Sequence, residues 1–370
     1  MKTRVLVIGG YGNFGQFIAR RLAQETDIQV IVAGRSLQKA QQAAQTLSQQ
    51  HQVEAAQVDI NHQFPQALQT IAPAIVIHTS GPFQSQSFQV ANACIDYGCH
   101  YIDLADAREF VTQIHQLDAR ARAKSCVVCS GASSVPTLTS AIIDHYLPAF
   151  SRLDSVEYAI STAQKTSRGL ATTAAVLSYA GKPFTTKING KTQAIYGWLD
   201  LRRKKFQRLG YRFLGNCDIP DLALFPQRYP SLKSIRFQAG LELSSVHLVL
   251  FGLSWLVRWR WLHSLQPLAP AMLRISRLLD WAGSDNSGFY LEMHGADPAG
   301  EPQTLRFDLW AQQGDGMYIP CVPSILMALK LARGQLNQTG AFPCMGCVSL
   351  DEYMTLLNEF AIETKVAVAK

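Results

Sequence analysis

Val5-Leu6-Val7-Ile8-Gly9-Gly10-Tyr11-Gly12-Asn13-Phe14-Gly15 passes from four apolar residues through a glycine-rich turn into Asn13–Glu25, whose apolar positions recur at helical spacing. A strand, a G-x-G-x-x-G turn made by Gly10, Gly12 and Gly15, and a helix in that order give an otherwise common glycine pattern its specificity. Gly10 allows the tight turn, Gly12 lets the backbone approach a pyrophosphate, and Gly15 lets helix and strand pack closely. Asn13 and Phe14 begin the helix, whose first N–H groups and positive potential suit phosphate. The stretch therefore predicts a dinucleotide-binding Rossmann domain, a doubly wound parallel sheet of the α/β class.

The same alternation continues outward to Ser130. Short apolar runs predict strands at Arg4–Ile8, Gln29–Ala33, Val53–Val58, Ala74–Thr79, His100–Ile102 and Cys126–Cys129. Amphipathic segments predict helices at Asn13–Glu25, Ser36–Gln50, Pro65–Ile71, Ser85–Tyr97 and Ala107–Lys124. After Gly131 the texture becomes irregular, and Phe289–Ala296 and Thr304–Ala311 read as a hairpin around a seven-residue loop. At 370 residues the chain suits two domains. The expected division is a nucleotide-binding domain at 1–135, an inserted α+β domain at 136–316 for substrate and dimerisation, and a segment 317–370 returning to the first domain with a helix at Val322–Arg333.

The residue after the second strand decides between two nucleotides. An NAD-binding domain keeps Asp or Glu there for the ribose 2′-hydroxyl. Here the position is Arg35, in Ala33-Gly34-Arg35-Ser36, with Lys39 one turn further. A guanidinium pairs with a 2′-phosphate through two parallel bonds and stacks on adenine, so the expected cofactor is NADP.

On a doubly wound sheet the carboxyl ends of the strands line the ligand crevice. Asp59 and Ile60 after the third strand are placed toward adenine, and Ser80, Gly81, Pro82 and Phe83 after the fourth toward the nicotinamide side. Asp, Ser, Gly and Pro are also the commonest turn residues, so turn chemistry is the alternative. After the fifth strand stand Tyr101, Asp103, Asp106 and Arg108. Either Asp suits an iminium or amine and Arg108 a carboxylate; capping of the Ala107–Lys124 helix by Asp103 or Asp106 is the structural alternative.

With these residues quoted, the chain resembles the saccharopine dehydrogenase-type, or saccharopine reductase-like, NADP-binding oxidoreductases. The resemblance rests on the glycine motif, Ala33-Gly34-Arg35, Gly81-Pro82-Phe83 and Cys94…Gly98-Cys99-His100-Tyr101-Ile102-Asp103-Leu104. Gly131-Ala132-Ser133-Ser134-Val135-Pro136 and Cys217-Asp218-Ile219-Pro220-Asp221 add to it. It implies a Rossmann domain with an inserted substrate domain, and hydride transfer at a C–N or C=O carbon of a small molecule held between the two. No set of basic residues for a dicarboxylate amino-acid substrate is recognisable. A non-catalytic NADP-binding sensor or membrane-associated protein is the alternative.

Composition narrows the remaining classes. A hydrophobic share of 48% against 16% charged residues describes a chain with a sizeable core rather than a disordered one. Met1–Ile8 is too short for a signal-peptide core, so a cytoplasmic protein with reduced thiols is expected. Cys126/Cys129 and Cys344/Cys347 form two C-x-x-C pairs, but strand alternation at the first sends its thiols to opposite faces, so no metal is expected. Net charge is +7, with Arg202, Arg203, Lys204, Lys205, Arg208 and Arg212 in a run that has no acidic residue among them. No nucleic-acid module is present, and nucleic acid is not an expected partner. Tyr229…Lys233, the only Tyr-x-x-x-Lys, contains Pro230 and lies far beyond the nucleotide domain, which excludes a short-chain dehydrogenase reading. The apolar run Val246–Val257, followed by Arg258-Trp259-Arg260-Trp261, is too short to span a bilayer and reads as a buried or an interfacial helix. Combined with the Arg202–Arg212 run it makes peripheral membrane contact an expectation to test, beside a small-molecule substrate and a homodimer.

Overall fold

The computed structural model describes residues 2–48, 52–166 and 169–369, and the chain divides into two compact units. The first comprises Met1–Ala141 and Tyr318–Leu356. Its strands are β1 (Thr3–Ile8), β2 (Ile28–Gly34), β3 (Val53–Gln57), β4 (Ile75–His78), β5 (His100–Asp103) and β6 (Val127–Ser130). They lie in the order β3-β2-β1-β4-β5-β6, all parallel, and Gly340–Pro343 adds a seventh parallel strand beside β6. The reversal of strand order between β1 and β4 is the switch point at which a doubly wound sheet receives its ligand. Buried on both faces, β1, β2, β4 and β6 read as unbroken apolar runs rather than alternating ones.

The helices of this unit are α1 (Asn13–Ala23), α2 (Leu37–Ser48), α3 (Phe64–Ile71) and α4 (Gln89–Tyr97). Gln49 and Gln50, the expected end of the second helix, lie outside the described residues. The fourth begins four residues later than expected, because Phe83–Ser85 forms a separate 3₁₀ turn. The expected helix Ala107–Lys124 is one helical run, Arg108–Ala123, tightened to 3₁₀ geometry at Ile114–Leu117. Its N-cap is Ala107 with no side-chain cap, so neither Asp103 nor Asp106 caps it.

The second unit comprises Ile142–Met317 and Leu357–Lys370. Its seven-stranded sheet runs in the order Arg202–Phe206, Gly210–Asn216, Ser234–Leu241, Arg152–Thr162, Ser287–Ala296, Pro302–Ala311, Ile362–Ala369. Only the Ser234–Leu241 and Arg152–Thr162 pair is parallel. The expectation that all of 317–370 returns to the first unit is corrected, since Ile362–Ala369 pairs with Pro302–Ala311 in the second. The hairpin loop is shorter than expected because Pro302 and Gln303 pair with Ala296 and Gly295. Asp297 ties it with one carboxylate oxygen that accepts the N–H groups of Ala299 and Glu301.

The basic run forms a hairpin of Arg202–Phe206 and Gly210–Asn216, and three of its cations meet carboxylates distant in sequence. Lys204 pairs with Glu157 at 2.8 Å and approaches Glu292 at 3.6 Å, Arg202 reaches Glu157 at 3.4 Å, and Arg208 pairs with Glu363 at 3.0 Å while lying over the Trp310 ring. These partners sit on other strands, while Asp200, two residues before the run, also approaches Arg202 at 3.6 Å. The Cys126/Cys129 pair is split, whereas Cys344 and Cys347 stay together. Cys126 groups with Cys94 and Cys99, and Cys129 with Cys344 and Cys347, all as buried free thiols.

The apolar run forms a 15-residue helix, Ser244–Arg258. His247, Leu250, Ser254 and Val257 recur on its buried side, and Gly181 lies so close beneath it that a Cβ there would overlap the Ser254 carbonyl oxygen. Leu248 and Val249, next to the buried residues, are exposed. Leu250→Ala should therefore cost about 2–5 kcal/mol in unfolding free energy, whereas Val249→Ala should stay within about 0.5 kcal/mol of the parent. Denaturant unfolding of both variants checks the orientation, and equal losses would show that the helix is turned otherwise.

Candidate nucleotide and substrate site

The turn after β1 is a run of close main-chain approaches. Gly9 takes φ +77°, and a Cβ on it would come within 2.6 Å of Thr79 Oγ1 and Ser80 Oγ. A Cβ on Gly10 would come within 2.8 Å of the Val7 carbonyl oxygen and 2.9 Å of Val32 Cγ1, and one on Gly15 would overlap the Gly9 carbonyl. The left-handed residue of the turn is Gly9, one position before the motif, and Gly10 lets β1 press against β2. The Gly9-Gly10 doublet was the available signal. The Gly9 and Gly10 N–H groups both donate to the Ala33 carbonyl, at 2.8 and 3.0 Å.

Gly12 is the exposed N-cap of α1, and Gln16 N–H donates back to its carbonyl at 2.9 Å. The first turn of α1 holds no acidic residue and the last turn holds Arg20 and Arg21, so both charge and dipole leave the Asn13-Phe14-Gly15 end suited to an anion. A cradle that a β-carbon would fill, at the positive end of a helix, fits a pyrophosphate.

Arg35 and Lys39 are exposed at the end of β2 and the start of α2. Ser36 caps α2, its Oγ accepting the Lys39 N–H at 3.3 Å. Tyr11, which the motif treats as a free position, joins the two ends of the site. Its ring lies on Gly34, where a Cβ would meet it at 2.5 Å, and its hydroxyl accepts the Ser36 N–H at 3.3 Å. The bare Gly34 opposite an aromatic inside the glycine turn was a faint sequence signal for that contact.

Asp59 is held in a turn: one oxygen accepts the Asn61 N–H at 3.0 Å and the other lies 3.1 Å from His62 Nδ1. The Asn61 N–H, His62 and the charge of nearby Arg35 hold its carboxyl below the ordinary carboxylate range. Ile60 is half-buried, and its carbonyl accepts from Gln89 Nε2 at 3.3 Å. At the end of β4, Thr79 Oγ1 donates to the Ile8 carbonyl at 2.9 Å. Gln86 Nε2 donates to the Ser80 and Pro82 carbonyls at 2.7 and 3.0 Å, fixing the main chain of Ser80-Gly81-Pro82. The Phe83 side chain is buried, 5.1 Å from the His78 ring and 5.3 Å from that of Phe110, so it faces the interior rather than a ligand.

The four residues after the start of β5 separate into two pairs. Tyr101 and Asp103 are wholly buried, against the expectation that they line a crevice. The parallel register sets Asp103 beside His78, and the Tyr101 hydroxyl shares a 3.2 Å hydrogen bond with His78 Nδ1. One oxygen of Asp103 accepts the Gly131 N–H at 2.8 Å, the Ala105 N–H at 3.0 Å and the Ser130 hydroxyl at 3.0 Å, which ties β5 to the end of β6. Alternation put Tyr101 and Asp103 on the same face of β5, and that face is covered by α3 and α4. Asp106 is exposed and accepts from Gln84 Nε2 at 3.2 Å; the protein packed around it pushes its carboxyl upward although the side chain keeps an open face. Arg108, half-buried, opens the helical run at Arg108–Ala123.

Residues 5–129 match the family model described as the saccharopine dehydrogenase NADP binding domain. That stretch of the chain is similar to this family's nucleotide-binding domain. Its cofactor is accordingly NADP, and the chain is saccharopine dehydrogenase-like. The apo L-Glu-forming saccharopine dehydrogenase of Saccharomyces cerevisiae is 13% identical, with 99% of this chain and 100% of that one covered at a TM-score of 0.68, which establishes a shared fold. The amine dehydrogenase of Mycobacterium smegmatis is 12% identical over 95% of this chain and 96% of that one, with a TM-score of 0.45. No curated protein matches the chain in sequence.

Burial shifts the two interior titratable groups in opposite directions. It raises the Asp103 carboxyl from 3.8 to about 6 despite the donors around it, and lowers the His78 imidazole from 6.5 to about 4. A raised Asp favours the native state below pH 3.8 and loses that contribution as pH rises to about 6; a lowered His contributes stability above pH 6.5 and loses it on acidification to about 4. The two effects oppose each other, each by about 3 kcal/mol at most. Asp103→Asn keeps an acceptor for the three donors and removes one side of the balance. Its thermal unfolding temperature should therefore fall more steeply than that of the parent between pH 6.5 and about 4, and parallel profiles would show that Asp103 titrates normally.

Proposed function

We propose that the protein is an NADP(H)-dependent oxidoreductase moving hydride to or from a carbon of a small imine, amine or carbonyl compound. The observation that carries the reading is the exposed Arg35 beside Tyr11, at the strand end where a ribose-binding carboxylate would repel a phosphate. Gly12 and the α1 N-terminus would hold the pyrophosphate, Arg35 and Lys39 the 2′-phosphate, and the main chain at Ser80-Gly81-Pro82 the nicotinamide half. Bound there, the nicotinamide supplies or accepts the hydride.

The chain's own residues would then have to orient a substrate and hold or move a proton. Asp106 and Arg108 are the proposed substrate contacts, a carboxylate for an amine or iminium and a guanidinium for a carboxylate. Tyr101 and Asp103, being interior, are proposed to position the ends of β5 and β6 rather than to touch the substrate.

The nucleotide preference tests the reading. A charge-assisted contact to the 2′-phosphate is worth on the order of 1.5–3 kcal/mol, so NADPH should bind at least about tenfold more tightly than NADH. Arg35→Asp should abolish or reverse that preference without unfolding the protein, because the residue is exposed. Isothermal titration of both nucleotides against both proteins measures this; equal affinity of the parent for NADH and NADPH overturns the assignment of Arg35.

A further inference from the structure

The Ser244–Arg258 helix is apolar on both sides although only one side is covered by this chain. A helix at the surface of a water-soluble fold carries polar residues on its outer face. Here that face carries Leu248, Val249 and Gly252, and the chain leaves the helix through exposed Trp259 and Trp261. The rings of Phe251, Trp255, Trp259 and Trp261 follow one another at 6.4, 5.2 and 5.9 Å. The next helix, Ala269–Leu278, repeats the pattern: it turns Ala269 and Leu273 inward and leaves Ile275, Leu278 and the following Trp281 more than half exposed.

The charge of this segment decides what covers it. Asp280 is the one acidic residue of 244–281, while Arg258, Arg260 and Arg274 are exposed. A second copy pressed against the same face would bring Arg258, Arg260 and Arg274 up against their equivalents, with Asp280 the one carboxylate of the segment, and the net interaction is repulsive. A surface that is anionic at its rim and apolar beneath matches all of it: guanidinium groups meet phosphates, tryptophans lie at the boundary, and the leucine and valine side chains enter the acyl region. No helix among the described residues is long and apolar enough to cross a membrane, and 15 residues make a rod of about 22 Å, so the segment would lie along the surface rather than through it.

We propose that the 244–281 segment docks the protein on the face of an anionic lipid bilayer. The cations that hold it there are those of the segment itself. The Arg202–Arg212 run, which the sequence joined to this patch, is left out of it: Arg202, Lys204 and Arg208 are paired with Glu157, Glu292 and Glu363, and Arg203 lies over the Tyr211 ring. The surface is independent of the oxidoreductase reading, which stands or falls on nucleotide binding.

The test is co-sedimentation of the intact protein with vesicles of equal parts phosphatidylglycerol and phosphatidylcholine, against phosphatidylcholine alone, with tryptophan emission recorded on vesicle addition. The proposal expects binding to the anionic vesicles with a blue shift in emission, and weakening in high salt as screening requires. Arg258→Gln with Arg260→Gln should weaken binding about tenfold or more. Trp259→Ser with Trp261→Ser should abolish the blue shift, and Arg202→Gln with Arg208→Gln should change nothing. The substituted side chains at 258–261 are exposed, and an unchanged melting temperature confirms that the variants are folded. Three results overturn the proposal: no sedimentation above the lipid-free control, equal binding to both vesicle types, or a tryptophan variant that turns a dimer of the parent into a monomer in lipid-free light scattering. The last would assign the face to a second copy.

Discussion

The nucleotide-binding unit depends on a main chain that must pass within contact distance of itself. Between Ile8 and Gln16 the backbone turns under Thr79 and Ser80, presses on Val32 and starts a helix whose third residue lies on the Gly9 carbonyl. Side chains at Gly9, Gly10 or Gly15 would push β1 from β2 or α1 from the sheet, because each β-carbon would meet backbone or a short branched side chain that has nowhere to go. Once the approach is made, the rest follows by hydrogen bonds: Gly9 and Gly10 to Ala33, Thr79 to Ile8, and Ser36 to the Tyr11 hydroxyl. The outcome is a helix N-terminus with no acidic side chain, flanked by strand ends that carry the exposed Arg35 and the loop at Ser80.

Strand ends on one edge of a parallel sheet do not all face the same surroundings. Those of β2 and β3 open to solvent with Arg35 and Asp59, while those of β4 and β5 run under α4 and the Phe83, Phe88 and Phe110 rings. His78, Tyr101 and Asp103 therefore form a polar island inside the core. Such an island persists only if its strongest acceptor is satisfied, and Asp103 takes three donors on one oxygen to join β5 to the β6 loop. Burial still outweighs those donors for the carboxyl and neutralises the imidazole, so the island is organised for rigidity more than for exchange with a ligand.

Charge in the second unit is sorted the same way, by what lies across from it. The basic strand Arg202–Phe206 is met by carboxylates of neighbouring strands, and Arg306 bridges Glu292 and Asp308 above the Tyr290 ring. In the helical segment, Arg258 lies over the Tyr196 ring, and Arg258, Arg260 and Arg274 stand near exposed tryptophans.

Local pattern alone determined the glycine turn, the parallel α/β order through β6, the cation at the end of β2 and the helical nature of the apolar run. Each is set by residues a few positions apart: a strand period, a helix period, a turn that only glycine permits. Tertiary structure decided the rest because the deciding partner was distant. Gly9 takes the left-handed conformation, and a β-carbon on it would collide with Thr79 and Ser80, which follow β4. Tyr101 and Asp103 are interior because helices and aromatic rings from elsewhere in the unit close over their face of β5. Strand Ile362–Ala369 leaves the first unit for the second because an unpaired edge at Pro302–Ala311 offers it a full ladder of hydrogen bonds. Which face of the Ser244–Arg258 helix meets protein was settled by Gly181, Trp198 and Phe213, since a helix apolar all round has no period from which its buried side can be read.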